Sequence, residues 1–122
     1  MANKSVEKSD VIFILHNENP LFDINVIQKL SLRGVDARCI ISPELDSSLP
    51  DLDAKIVFLE SSADLDDGKF NYLVNAQIPT AILSHSPIWQ EAREYLGAGA
   101  VDYIHFSLQA EDYYGPIAKY CD

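Results

Sequence analysis

Long apolar runs are missing from this chain. The longest, Val11–Leu15, has five residues, far short of the roughly 20 that a membrane span needs. The first ten residues are polar and charged, so neither a signal peptide nor a transmembrane helix is expected. Cysteine is scarce too: Cys39 sits inside an apolar run and Cys121 one residue from the end. Neither has metal-ligand or redox spacing, which leaves no disulfide framework or thiolate metal site, and the reducing cytoplasm is the expected setting. Basic charge is short as well, with 9 Lys and Arg against 19 Asp and Glu and a net charge of −10. A chain so poor in cations has little with which to displace the counterions of a nucleic acid, so no nucleic-acid partner is expected.

What is present is an ordinary globular composition, 48% apolar over 122 residues, enough for one domain with its own core. Residues 1–10 read as a polar N-terminal extension and 11–122 as the domain. Val11–Leu15 is continuous, aromatic and mostly β-branched, with no alternation, as expected of a strand covered on both faces. Leu21, Ile24, Ile27 and Leu30 then recur every three residues between Pro20 and Gly34, which predicts a helix over 20–33. Val35–Ile41 is a second strand, and Ser42-Pro43 opens a weakly patterned helix towards Leu49. Lys55–Leu59, Thr80–Leu83 and Val101–Phe106 repeat the strand pattern. Between them lie an acidic loop from Glu60 to Gly68, a short helix around Phe70, Leu73 and Val74, and a helix capped by Ser86-Pro87 with Ile88, Trp89, Ala92, Tyr95 and Leu96 on one face. A last helix carries Tyr113, Tyr114, Ile117 and Ala118 on one side.

Five strands alternating with five helices imply right-handed βαβ units and a parallel sheet covered on both faces. The expected fold is a flavodoxin-like (βα)5 three-layer sandwich with strand order 2-1-3-4-5. Ligands of such sheets sit beyond the carboxyl ends of the strands. The residues there are His16, Asn17 and Glu18 after strand one, Glu60 and Ser61 after strand three, Ser84 and His85 after strand four, and Phe106 and Ser107 after strand five.

At these positions the chain resembles the receiver (CheY-like) domains of two-component response regulators, from about Val11 to Tyr120. Gly97-Ala-Gly-Ala-Val-Asp-Tyr-Ile104 looks like the family's G-A-x-D-Y-(L/I) segment. Gly68 follows Glu60 by eight residues, the family's interval from phosphoacceptor to glycine. The resemblance places His16 and Asn17 at the acidic pair, Glu60 at the phosphoacceptor aspartate, Ser84 at the Ser/Thr, Phe106 at the lysine and Tyr103 at the aromatic that rotates inward on activation. Only Ser84 and Tyr103 keep the family's residue type. The resemblance therefore implies a degenerate member, or pseudo-receiver.

Charge explains what such losses remove. A divalent cation at a phosphoaspartate site is held by clustered carboxylates, and an imidazole and an amide in place of the acidic pair subtract two negative charges from its cage. No Lys or Arg occurs between Arg93 and Lys119, so no shift of register restores the lysine. Glu60 is expected to be a solvated carboxylate in an acidic loop, with a permanent mimic of the phosphorylated state as the alternative. His16, Glu60 and His85 are the candidates for a transition metal, but without ligand spacing no metal or cofactor is expected. His16-Asn-Glu-Asn-Pro20 contains no glycine to cradle a phosphate cofactor. Adjacent residues of an extended strand diverge, so Ser84 and His85 are not expected to form a nucleophile and base, and no enzyme is predicted.

These observations imply a noncatalytic signalling module that works by protein contact, independently of aspartyl phosphorylation. Two alternatives stand beside it: phosphoacceptance on a nearby carboxylate, Asp64 or Asp66, and small-molecule binding in the less charged pocket. Residues 44–67 hold eight acidic side chains against Lys55 alone, a solvated face or a patch that steers a basic partner. Trp89, Tyr95, Tyr113 and Tyr114 are the candidate contact face. A homodimer through the last two helices and fifth strand is the accompanying expectation.

Overall fold

In the computed structural model, residues 7–41, 52–64 and 69–121 are described; the helix expected from Ser42-Pro43 to Leu49 lies outside them. The strands are β1 (Glu7–Lys8), β2 (Val11–Leu15), β3 (Ala37–Ile41), β4 (Leu52–Asp53), β5 (Ile56–Glu60), β6 (Thr80–Ser84) and β7 (Asp102–His105). The helices are α1 (three segments, Pro20–Phe22, Asp23–Ile27 and Gln28–Leu32), α2 (Lys69–Asn75), α3 (Trp89–Gly97) and α4 (Glu111–Cys121), with a 3-10 turn at Ser61–Asp64.

Strands β2, β5 and β6 are buried at every position, as their apolar centres require. They form the centre of a parallel five-stranded sheet in the order β3-β2-β5-β6-β7, which is 2-1-3-4-5 along the chain as expected. Alternation along the strands divides the core in two. Val11, Phe13, Leu15, Ile56, Phe58, Ala81 and Leu83 face the layer of α1 and α4, with Phe22, Val26, Leu30, Tyr113 and Ile117. Ile12, Ile14, Val57, Leu59 and Ile82 face the layer of α2 and α3, with Phe70, Leu73 and partly buried Tyr95. A feature absent from the expected fold is a second, two-stranded sheet. Glu7 and Lys8 pair in parallel with Leu52 and Asp53, so part of the polar extension is anchored by its backbone.

Helix α1 buries a different set from the run of threes. Leu21 and Ile24 are more than half exposed, while Phe22, Val26 and Leu30 are wholly buried. Intervals of four residues exceed the 3.6 of an α-helix. The π-helical turn over Asp23–Ile27 takes up the difference and keeps the three buried residues on one side. The helix starts where Asn19 Oδ1 accepts the Phe22 N–H at 3.1 Å, with Pro20 in the first turn.

Helix α3 begins later than its expected Ser86 cap. Ile88 is extended, at φ −132° and ψ 146°, and its N–H is taken by the Tyr103 hydroxyl at 3.3 Å. Ser86 donates its own N–H to Ser84 Oγ at 3.2 Å. Of the apolar face read from the sequence, Ile88, Trp89 and Leu96 are exposed. Ala92 and Tyr95 are half-buried, the Tyr95 ring edge-on against Phe70 at 5.0 Å.

Two glycines at the end of α3 make opposite demands. Gly99 has φ +117°, and a Cβ there would lie 3.1 Å from Val74 Cγ1, whereas a Cβ at Gly97 meets open space. Gly99→Ala is expected to cost ~2 kcal/mol of stability from backbone strain. Gly97→Ala, inside the helix, is expected to gain ~0.5 kcal/mol. Urea denaturation of the two variants checks the contrast, and equal midpoints would contradict it.

Candidate functional site

The period of two that sorts the core also decides which residues meet beyond the strand ends. Ile56 and Phe58 face the α1/α4 layer, so Glu60 does too. Ala81 and Leu83 face the same way, and continuing that alternation carries His85 to this side while Ser84 turns to the other. Ile104 and Phe106 pack against this layer as well.

A cleft of about 270 Å³ lies there, lined by Leu15, His16, Asn17, Glu18, Asn19, Glu60, Ser62, His85 and Phe106. The structure thus brings together His16, Asn17, Glu60 and Phe106, four of the five pocket residues read from the sequence. Ser84 is the exception. It is 3% exposed, caps the Ser86 N–H, and is not among the residues that line the cleft. Its neighbour His85, read from the sequence as a metal candidate with His16 and Glu60 and not as part of the phosphorylation pocket, lines the cleft in its place.

Glu60 is not the solvated carboxylate that its acidic loop suggested. It is the last residue of β5 and 7% exposed. Its Oε1 accepts the His16 backbone N–H at 2.7 Å, and its Oε2 is in direct contact with His85 Nε2. The imidazole stacks on Phe106, ring centres 4.3 Å apart, and Phe106 stacks on Phe22 at 5.4 Å. A single carboxylate therefore ties the loop after β2 to the loop after β6, and a column of rings holds the imidazole in place. His16 contributes its backbone to Glu60, a role no residue-type pattern announces. Among the described residues, no group of three His, Cys, Asp or Glu side chains is arranged to hold a metal ion.

Tyr103 faces away from this cleft, towards α3. Its hydroxyl donates to Glu91 Oε1 at 2.5 Å while accepting the Ile88 N–H, and its ring lies 6.5 Å from that of Tyr95. The four aromatics expected to share a contact face are dispersed. Tyr113 is wholly buried, and Tyr114 lies under the Arg33 guanidinium at 4.2 Å, towards the end of α1. Tyr95 is half-buried, and Trp89 is 74% exposed.

No protein-family model matches the sequence, nor does any curated protein. Solved structures do match. The chain is similar to the receiver domain of the Francisella response regulator 1452, at 16% identity and a TM-score of 0.71, covering 92% of this chain and 95% of that one. It is also similar to a response regulator from Thermotoga maritima, at 19% identity and a TM-score of 0.65, over 91% of this chain and 99% of that one. A CheY-like response regulator from Mesorhizobium loti matches at 18% identity and a TM-score of 0.65, over 93% and 99%. The chain has the receiver, or CheY-like, fold. On that fold the cleft lies beyond the carboxyl ends of β2, β5, β6 and β7, where an open parallel sheet places its ligands. No helix among the described residues is long and apolar enough to cross a membrane.

Proposed function

We propose that this receiver-fold chain is a noncatalytic signalling module, one that works in the cytoplasm by protein contact without aspartyl phosphorylation. The observation that carries this reading is the engagement of Glu60. With one oxygen on the His16 N–H and the other on His85, both oxygens of the carboxylate at the phosphoacceptor position are already engaged within the protein, and an incoming phosphoryl group would have to compete with those contacts. Phe106, at the position of the receiver lysine, offers no cation to a transferred phosphoryl group. The exposed apolar side chains of α3, Ile88, Trp89 and Leu96, supply surface for a signalling partner or a second copy.

Incubation with acetyl phosphate and magnesium, followed by intact-mass measurement, tests the reading. No mass gain is expected in the parent chain or in Glu60→Asp, because the shorter side chain restores neither the lysine nor the acidic pair. A stoichiometric phosphoryl adduct on the parent would overturn it, and Asp64 and Asp66 would become the residues to substitute.

A further inference from the structure

The Glu60 cleft contains a feature that its proposed silence toward phosphate leaves unused. A carboxylate whose side chain is 10% exposed points into a cavity with no Lys or Arg in its lining. A buried carboxylate is costly unless it is paired and hydrogen-bonded, and in this cleft the His16 N–H supplies only one bond. The partner it has, His85, carries positive charge only while its ring is protonated. At 55% side-chain exposure, that ring can be reached from solvent by a competing cation able to replace both its contact with Glu60 and its stacking on Phe106. Departure of His85 would bare one face of Phe106, whose other face is backed by Phe22. The remaining lining is Leu15, His16, Asn17, Glu18, Asn19 and Ser62, of which Asn17, Glu18 and Ser62 add acceptor oxygens. An aromatic face beside a buried carboxylate, ringed by further acceptors, suits a planar cation that hydrogen-bonds at its edge and stacks on its face.

We propose that the cleft receives the guanidinium group of an arginine from a basic protein partner, which displaces His85 from Glu60 and stacks on Phe106. This rests on the contact-module reading and names the kind of partner that module takes. A guanidinium is charged throughout the physiological pH range and delivers paired N–H donors to a carboxylate; an ammonium does neither the pairing nor the stacking as well. The chain's net charge of −10 draws a basic surface towards it before the arginine enters.

The test is an NMR titration of the full chain with agmatine, a small alkyl guanidinium, following the His85 ring protons and the Phe106 ring at constant ionic strength. Expected are saturable shifts at both residues, binding at least tenfold weaker in Glu60→Gln, and binding at least threefold tighter in His85→Ala, which removes the competing ring. Putrescine, carrying ammonium groups only, is expected to bind several-fold more weakly. Equal binding in Glu60→Gln and parent would overturn the proposal, as would weaker binding in His85→Ala. Putrescine binding as tight as agmatine would overturn the choice of guanidinium. A phosphoryl adduct in the mass experiment would remove the contact-module reading whatever agmatine does. Absence of both adduct and agmatine binding would remove the arginine alone.

Discussion

Phe13→Ala is expected to remove ~4 kcal/mol of folding stability. Phe13 is wholly buried at the middle of β2 and is the hub of a ring cluster. Phe58 stacks on it at 4.8 Å, while Phe22 and Tyr113 meet it edge-on at 5.0 and 5.2 Å. Those partners come from the neighbouring strand β5 and from both helices of one layer, so a single truncation loosens the sheet and the two helices it carries. The rings sit on rigid elements that cannot collapse inward, which places the cost in the upper part of the range for a lost aromatic. Against a typical total of ~5–15 kcal/mol, a loss of this size takes a large share of the native state's margin. Denaturant titration provides the check: the midpoint should fall with little change in slope. Leu32→Ala is the matched control. At 86% exposure, Leu32 should change stability by no more than ~0.5 kcal/mol. Similar losses from both variants would contradict the assignment of the core.

The contrast between Phe13 and Leu32 also marks where the sequence was legible. Val11–Leu15, Ile56–Leu59 and Ala81–Leu83 are unbroken apolar runs, and burial on both faces is the environment that suits them. Sheet order followed from there, because parallel strands need crossovers and crossovers are right-handed. Helix α1 was harder. Its sequence offers two apolar faces, Leu21-Ile24-Ile27-Leu30 and Phe22-Val26-Leu30, and steps of four lie closer to the 3.6-residue turn than steps of three. Packing of Phe22 against Phe13 and Phe106 fixes the second, and the π-helical turn absorbs what mismatch remains. The spacing therefore held the answer, and the longer run of threes obscured it.

The site was legible in position and less so in chemistry. Four of the five residues read at the strand ends line one cleft, because topology dictates the place. Glu60 was misjudged from its acidic neighbours, although it ends a buried strand. Its partners come from 44 and 25 residues away, and one of them is a backbone N–H. Ser84 was assigned to the pocket by position in a family pattern. The parity of its own strand, with Ala81 and Leu83 on the cleft's side, already argued for His85.

Tyr113 links this fold to an alkaline transition. Its ring is wholly buried among Phe13, Phe22 and Phe58. Its hydroxyl donates to the Ser107 carbonyl at 2.7 Å and accepts the Ser107 N–H at 2.9 Å. That two-way bond pins the loop after β7 to α4, just beyond Phe106. Burial pushes the phenol up from 10.0 to about 12, the Ser107 backbone bond opposes the rise, and the negative charges of Asp112 and Glu60 add to it. The native state therefore favours the neutral phenol. Its contribution is fully present below pH 10, where the unfolded chain is also neutral, and is lost as the pH rises through 12. The two-unit difference corresponds to ~2–3 kcal/mol of stability lost across that window. Tyr113→Phe separates this term from other alkaline titrations. At pH 8 the variant should be less stable than the parent by ~1–3 kcal/mol, since the Ser107 N–H and carbonyl lose their shared partner. Phenylalanine has no proton to lose, so the difference should shrink or reverse between pH 10 and pH 12. Denaturant midpoints of the two proteins at a series of pH values would trace that convergence, and parallel curves would show that the buried phenol does not couple to folding.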